Sequence, residues 1–245
     1  MTPVISPTQQ PNKLYLGTTS IDRAYMGTVK VWEPSYDSII LAANPVSYWK
    51  SDETSGTTAA DAKGLNPGTY TGGFTLAQPG PSIAIGNCAV AYNGADNSDL
   101  NIGNPVSLQL SQVTLAAWIK TADTGQYKGI MAKQYAWAIF GYNGYLGTYD
   151  WGAAVTTQRG WLADSAWHFI AMRVNSAVTN GSNLWLDGAQ SGASFTYSVS
   201  SQGYPFAVAG ANFAGQYIAG SIAKPVIFSR LLSDAELLSF YNRGR

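Results

Sequence analysis

The 245 residues carry fourteen basic and fourteen acidic side chains, a formal charge of zero, and only 11% of the chain is charged, far below the roughly 25% of ordinary soluble proteins. No basic stripe is present to attract phosphate, which argues against nucleic-acid binding. Hydrophobic residues at 46% and aromatics at 13% suffice for one large all-β domain with an appendage, its surface wetted by Ser, Thr, Asn, Gln and Gly.

In chain order, the first thirty residues lack the apolar core of a secretory signal. No apolar run reaches the roughly 18 residues that a membrane span needs, so no membrane insertion is expected. Residues 1–11, with prolines at 3, 7 and 11, show no periodicity and read as an extended or flexible segment, a neighbouring subunit being one surface for it to lie along. Tyr15-Leu16-Gly17-Thr18-Thr19-Ser20-Ile21 is then echoed ten residues later by Tyr25-Met26-Gly27-Thr28-Val29-Lys30-Val31, followed by Trp32. Each unit reads as a short β-arm bent at its glycine, where positive φ carries little cost. Isolated ribbons are marginal in water, so residues 1–35 need a partner surface. The repeat resembles an element near the ends of many bacteriophage tail and virion structural proteins. It implies docking to other virion proteins or to sister copies as a homo-oligomer, a trimer being one candidate. The alternative is an ordinary hairpin packed on the main domain.

Residues 35–43 read as a short helix that stops at Asn44-Pro45, because the residue before proline resists helical angles. Val46 to Asp61, Gly68-Thr69-Tyr70-Thr71-Gly72-Gly73 and Gln78-Pro79-Gly80 resemble the opening of bacterial and phage laminin-G-like domains. The lone Cys88 sits in an apolar run and reads as a buried thiol. Strand signals recur at 89–92, 100–102, 113–120, 129–133, 137–141, 145–149, 167–174, 184–186, 195–199, 206–210, 218–219 and 226–229. Asn143-Gly144, Asn180-Gly181 and Asp187-Gly188 supply turns between them. Trp118, Trp167 and Trp185 lie within strand patterns and read as core. Ser233-Asp234-Ala235-Glu236 is a capping box. It opens a helix with an apolar stripe of Leu237, Leu238 and Tyr241, and Gly244 suits its C′ position.

The run from Ser165 to Gly244 joins these elements: a Trp167-His168 strand, the Asn183-Leu184-Trp185-Leu186-Asp187-Gly188 hairpin, the Gly220-Ser221-Ile222 strand and the capped helix. In that order they resemble the laminin-G-like, concanavalin A-like family. The resemblance implies an all-β, two-sheet antiparallel jelly-roll sandwich over residues 36–245, with a short N-terminal β-arm and a short C-terminal helix. It also implies a domain that binds glycans or proteins more often than it catalyses.

The carboxylates fit that non-enzymatic expectation. A retaining glycosidase needs two carboxyls about 5–5.5 Å apart, and the glucanases of this fold take theirs from an alternating E-x-D-x-E strand. Here the only glutamates are Glu33, Glu53 and Glu236, widely separated, and Asp52 and Glu53 are adjacent, so on a strand they would face opposite ways. His168, the only histidine, reads as a hydrogen-bonded structural residue. No cofactor is expected. Relatives often hold calcium with an aspartate in the G-x-I-D strand, but Ala223 stands at that place, followed by Lys224, which is expected to pair with Asp52 or Glu53. The oxygen-rich loop Asn93 to Asp99 reads as Asx turns capping their own backbone, with a cation as the alternative. Exposed aromatics with amides and carboxylates nearby are what a sugar needs. Tyr142, Asn143, Tyr145, Tyr149, Asp150 and Trp151 are therefore the candidate glycan-binding residues. The expectation is a virion structural protein, a tail fibre or capsid decoration, displaying a lectin-like domain toward a surface glycan. The alternatives are a bacterial extracellular carbohydrate-binding module and, disfavoured, a glycoside hydrolase.

Overall fold

A computed structural model describes residues 14–16, 19–21, 23–82, 84–86 and 88–245. Two hairpins come first, each a separate two-stranded sheet: β1 (Leu14–Leu16) pairs with β2 (Thr19–Ile21), and β3 (Ala24–Met26) with β4 (Val29–Trp32). The second turns at Gly27, whose φ of +63° suits a residue without Cβ. Tyr25 and Met26 on β3 are exposed. At the foot of this hairpin, Glu33 forms ion pairs with Arg23 (2.9 Å) and with Arg243 near the C-terminus. The extended stretch expected at residues 1–11 and the bend at Gly17 lie outside the described residues, as do the side chains of Tyr15, Leu16, Ile21, Val31 and Trp32.

Helix α1 (Tyr36–Ala42) is capped by Ser35, whose hydroxyl accepts from the Ser38 amide at 3.1 Å. It stops where Asn44, held before Pro45, swings to φ +56°. The sandwich then begins with β5 (Ser47–Tyr48), β6 (Thr58–Ala59), β7 (Gly68–Thr71), β8 (Phe74–Gln78), β9 (Ala89–Asn93) and β10 (Asp99–Gly103). Its middle is β11 (Gln112–Thr121), β12 (Lys128–Lys133), β13 (Trp137–Tyr142), β14 (Tyr145–Asp150) and β15 (Val155–Trp161). It closes with β16 (Trp167–Asn175), β17 (Asn183–Leu186), β18 (Ala189–Gln190), β19 (Phe206–Val208) and β20 (Ala219–Phe228), before helix α2 (Asp234–Gly244).

Two antiparallel eight-stranded sheets result. The first runs β15-β14-β13-β12-β19-β10-β7-β6; the second runs β18-β17-β16-β11-β20-β9-β8, with β5 also paired to β20. Between them lies a core that includes Trp49, Leu115, Ile119, Trp137, Ile139, Phe206 and Ile222, all buried. A further apolar layer fills the outer face of the second sheet, where Trp118, Phe169, Val226 and Phe228 meet Ile40 of α1 and Leu237 and Phe240 of α2. Consequently β11 is buried on both faces over most of its length. Trp118 and Trp185 are fully buried, Trp167 packs at the edge of this layer, and the Cys88 thiol inside it is pushed up to about 11 by burial.

Several expectations need correction. Residues 195–199 form no strand beyond a single Ser182–Phe195 bridge. Their alternation arises because the Tyr197 ring plugs the core while its hydroxyl donates to the Tyr149 carbonyl at 2.9 Å. The separate strands expected at 218–219 and 226–229 belong to the one long β20, which bulges at Lys224 (φ +57°) beside Pro225. Strand β15 went unforeseen because an edge strand with an exposed face carries little apolar alternation. Lys224 pairs with Asp37 of α1 at 2.8 Å, not with Asp52 or Glu53, because the bulge turns it toward α1 and the Tyr48 ring. On α2 the buried stripe runs through Leu237 and Phe240, while Leu238 is exposed. Gly244 is the last helical residue, not C′; a Cβ there would meet the Trp118 ring at 2.4 Å.

The capping box at Ser233 is complete: the Glu236 amide donates to the Ser233 hydroxyl, and the Ser233 amide donates to the Glu236 carboxylate at 2.8 Å. Arg230, 2.6 Å away, helps hold that carboxyl down at about 2. Ser233→Ala should lower unfolding free energy by about 1 kcal/mol, read as a shift of the urea midpoint at unchanged slope. An unshifted midpoint would mean that α2 docks without its cap.

Candidate functional site

Among the described residues no helix packs on the outer face of the first sheet, and the site lies there. Along β13, Trp137 and Ile139 enter the core, so Ala138, Phe140 and Tyr142 point outward; along β14, Leu146 points inward and Tyr145 and Tyr149 outward. The hairpin turn is Asn143-Gly144, with φ of +52° and +82°, the type I′ signature that fixes this register. On the outer face, Tyr127, Gln134, Phe140, Tyr149, Trp151 and Gln216 line a cavity of about 180 Å³. Its aromatic walls are locked together edge to face: Tyr127–Tyr149 at 5.6 Å and 82°, Tyr149–Trp151 at 5.6 Å and 87°. Tyr127 hydrogen-bonds the Thr156 hydroxyl at 2.8 Å. Tyr127 and Tyr135 both adopt positive φ, +49° and +58°, so the chain on either side of β12 is bent to aim these rings.

One polar atom stands out. Gln134 is 5% exposed, lines the cavity, and its Oε1 has no hydrogen-bond partner in the chain. A buried acceptor without a donor costs about 1–3 kcal/mol. No lining side chain is charged. The arrangement offers aromatic faces for C–H surfaces beside two neutral amide side chains, Gln134 and Gln216.

The sequence candidates divide over this geometry. Tyr149 and Trp151 line the cavity, and Tyr142 adjoins it through Tyr127, ring centroids 4.6 Å apart. Tyr145 stands farther along the same face with Trp161, at 4.9 Å and 84°. Asn143 is an exposed turn residue. Asp150 is buried and not free to bind: its carboxylate accepts from the amides of Gly152 (2.8 Å), Ala153 (3.2 Å) and Ser198 (3.0 Å). Sequence reasoning missed Tyr127, Gln134, Phe140 and Gln216. Phe140 was legible from its spacing to Tyr142 on one strand face; Gln216 arrives from a distant loop and left no signal.

Elsewhere the acidic groups are engaged in structure. Glu53 accepts from the Ala60 amide (2.8 Å) and the Tyr70 hydroxyl (3.0 Å). Asn93 caps the Ala95 amide at 3.0 Å as an Asx turn, but Asp96 reaches across to the Gly215 amide (2.7 Å) and Asp99 takes the Thr71 hydroxyl (2.6 Å). Among the described residues no group of three or more His, Cys, Asp or Glu side chains is arranged to hold a metal ion, and no helix is long and apolar enough to cross a membrane.

Fold and site together define a concanavalin A-like jelly roll whose uncovered sheet face carries an aromatic cavity. The chain belongs to the Laminin_G_3 family, described as the concanavalin A-like lectin/glucanases superfamily, whose model matches residues 93–238 and so takes in every residue of the cavity. Among solved structures it is similar to domain 4 of a GH43 extracellular arabinanase from Geobacillus stearothermophilus in complex with arabinotriose. The identity is 16% and the TM-score 0.58, over 80% of this chain and 98% of that one. It is also similar to the binding domain of Paraclostridial Mosquitocidal Protein 1, at 15% identity and TM-score 0.60, over 82% of this chain and 52% of that one. For Trypanosoma rangeli sialidase the identity is 12% and the TM-score 0.59, over 81% of this chain and 32% of that one. The chain thus spans about half and a third of these last two. At such identities the likeness is one of fold. No curated protein matches the chain.

His168 is clamped: Nδ1 lies 2.6 Å from Asp187 and Nε2 3.0 Å from Asp164, while Asp187 also accepts the Phe169 amide at 2.9 Å. The clamp pins the Asp187-Gly188 turn. The hydrogen bond to Asp187 is the chief cause raising the imidazole above its ordinary value, against the opposing effect of burial. Its stabilisation is therefore full below the unfolded value of about 6.5 and lost as pH rises through the raised folded value. Unfolding free energy measured across that window should fall more steeply for the native chain than for His168→Gln. Parallel pH profiles would show that the clamp does not tune stability.

Proposed function

We propose that the chain is a non-catalytic, lectin-like protein that binds a glycan in the aromatic cavity of its first sheet, and that residues 1–35 carry this domain on a bacteriophage particle as a tail-fibre or capsid-decoration subunit. The cavity of interlocked aromatic rings with the amide side chains of Gln134 and Gln216 in its lining is the observation that carries the binding reading. A purely hydrophobic ligand would leave those amides unused; a sugar presents both hydroxyl and C–H faces. The arabinanase domain solved with arabinotriose lends support from the same fold. The non-catalytic reading rests on the carboxylates: Glu33 and Glu236 bind arginines, and Glu53 holds Ala60 and Tyr70. Support for virion docking comes from the tandem hairpins, which among the described residues form two-stranded sheets of their own, with Tyr25 and Met26 exposed.

The test is binding of fluorescently labelled chain to a printed glycan array, followed by calorimetric titration. Trp151→Ala should weaken a bound glycan by about tenfold or more, and Gln134→Leu by about three- to tenfold, the loss of one hydrogen bond, with far-ultraviolet circular dichroism unchanged. Full affinity in both variants would move the site elsewhere. Turnover of a β-glucan that disappears in Glu53→Gln would overturn the non-catalytic part. Antibody to the sandwich should gold-label purified phage particles in electron micrographs; particles free of label would retire the virion part alone.

A further inference from the structure

We infer that the cavity is one subsite of a longer groove, whose ligand is an internal stretch of a linear, uncharged glycan that continues onto a second aromatic platform formed by Tyr145 and Trp161. The inference rests on the glycan-binding reading above and deepens it. Tyr127 at the cavity wall contacts Tyr142, Tyr142 stands directly opposite Tyr145 in the β13–β14 register, and Tyr145 stands opposite Trp161 in the β14–β15 register. Directly opposed residues project from the same face of a sheet, so cavity and platform share one surface. From β13 to β15 is two strand spacings, about 10 Å, the length of about two linked sugar rings. A monosaccharide filling the 180 Å³ cavity would leave the platform empty.

The platform is built rather than incidental. Tyr145 is 38% and Trp161 42% exposed, unusual for rings of this size on a strand. Trp161 is nevertheless held in place: a Cβ on Gly144 would meet its ring at 2.7 Å, so the turn glycine makes room for the indole to lie against the hairpin. Between the two subsites, the exposed Gln158 donates from Nε2 to the Tyr142 carbonyl at 3.2 Å, leaving its oxygen for a hydroxyl.

Charge selects the class of sugar. The cavity lining is neutral, the Asp150 carboxylate is occupied by backbone amides, and Arg159 of β15 donates to the Ala193 and Gln158 carbonyls while lying over the Phe195 ring. None of the residues lining the cavity or forming the platform is charged, so a sialic or uronic carboxylate meets no cation in direct contact there.

The experiment uses the full chain and three probe sets: the mono- to hexasaccharide ladder of the best-bound neutral series on the array, sialyllactose, and an oligogalacturonate. Affinity should rise by about tenfold or more from mono- to trisaccharide and then level off, as a second stacked ring is engaged. Trp161→Ala should remove that gain and leave monosaccharide affinity unchanged, with Trp161→Phe restoring part of it. Tyr145→Ser should act in the same direction. Length-independent affinity, a Trp161→Ala variant that binds the longer chains normally, or preference for either acidic probe would overturn the inference while the cavity reading stood. Absence of binding to any glycan, or indifference to Trp151→Ala, would overturn both.

Discussion

The pleat of the β13–β14 hairpin is the constraint on which fold and site both depend. Because successive side chains on a strand face opposite ways, one hairpin, Trp137 to Asp150, closes the core with Trp137, Ile139 and Leu146 and builds the outer face with Phe140, Tyr142, Tyr145 and Tyr149. A shift of one residue in register would exchange the two sets, placing tyrosine hydroxyls between the sheets and indole and isoleucine in water. The Asn143-Gly144 turn prevents that shift, since its two left-handed residues match the strand twist only in a two-residue hairpin. Gly144 has a second duty, because the Trp161 ring occupies the space where its side chain would be. Register, turn and site are thus one solution to one steric problem.

The two sheets treat their outer faces differently, and the proposed binding site lies on the barer of them. The second sheet is roofed by α1 and α2, which bury Trp118, Phe169 and Phe228 and use a half-buried ion pair, Lys224 with Asp37, to seat α1 over the bulge in β20. An ion pair at such a place adds little net stability, because desolvation offsets attraction. Its specific effect is positional: Asp37 also accepts from Tyr48, so helix, bulge and first strand share one carboxylate. The first sheet has no such roof. Its outer aromatics pack on one another instead, and the buried Lys133, lowered to about 8 by burial, donates to the Tyr204 carbonyl at 2.6 Å while the Tyr204 ring lies 4.7 Å from that of Tyr135. Rings held this firmly lose little freedom when a ligand arrives, which is the usual condition for a pocket to bind with few polar contacts.

The sandwich was legible in the sequence because most of its strands carry period-two apolar patterns separated by Asx-Gly turns, and α2 because a capping box is a local signal. What escaped was non-local. Strand β15 is an edge, so half of its side chains face water and its pattern dissolves. The 195–199 segment alternates like a strand yet pairs through side chains, since Tyr197 bonds Tyr149 and the Ser198 amide bonds Asp150. Two of the lining residues, Tyr149 and Trp151, could be read from residues 142–151, where density of rings is visible by eye. Phe140 lay just outside that run, and the others could not be read, because Tyr127 and Gln134 belong to the turns flanking β12, and Gln216 joins from a loop some eighty residues later. Asp150 misled for a related reason: a carboxylate beside aromatics looks like a sugar ligand until its backbone partners are known.

The scarcity of charge gives these separate features a common cause. With 11% charged residues, the chain has few carboxylates to deploy, and the structure commits many of them to its own backbone and cations: Asp61 to the amides of Tyr48, Lys63, Leu65 and Asn66, Asp150 to three more, Asp187 to Phe169 and His168, Glu236 to its cap. Each such carboxylate fixes a loop that has no ladder of its own to hold it. The uncovered sheet face is therefore left to tyrosine, tryptophan and glutamine, residues that recognise shape and hydroxyl direction without demanding charge. A neutral surface of this kind also carries no long-range field to steer a partner, so retention of a ligand depends on how many rings it can cover at once.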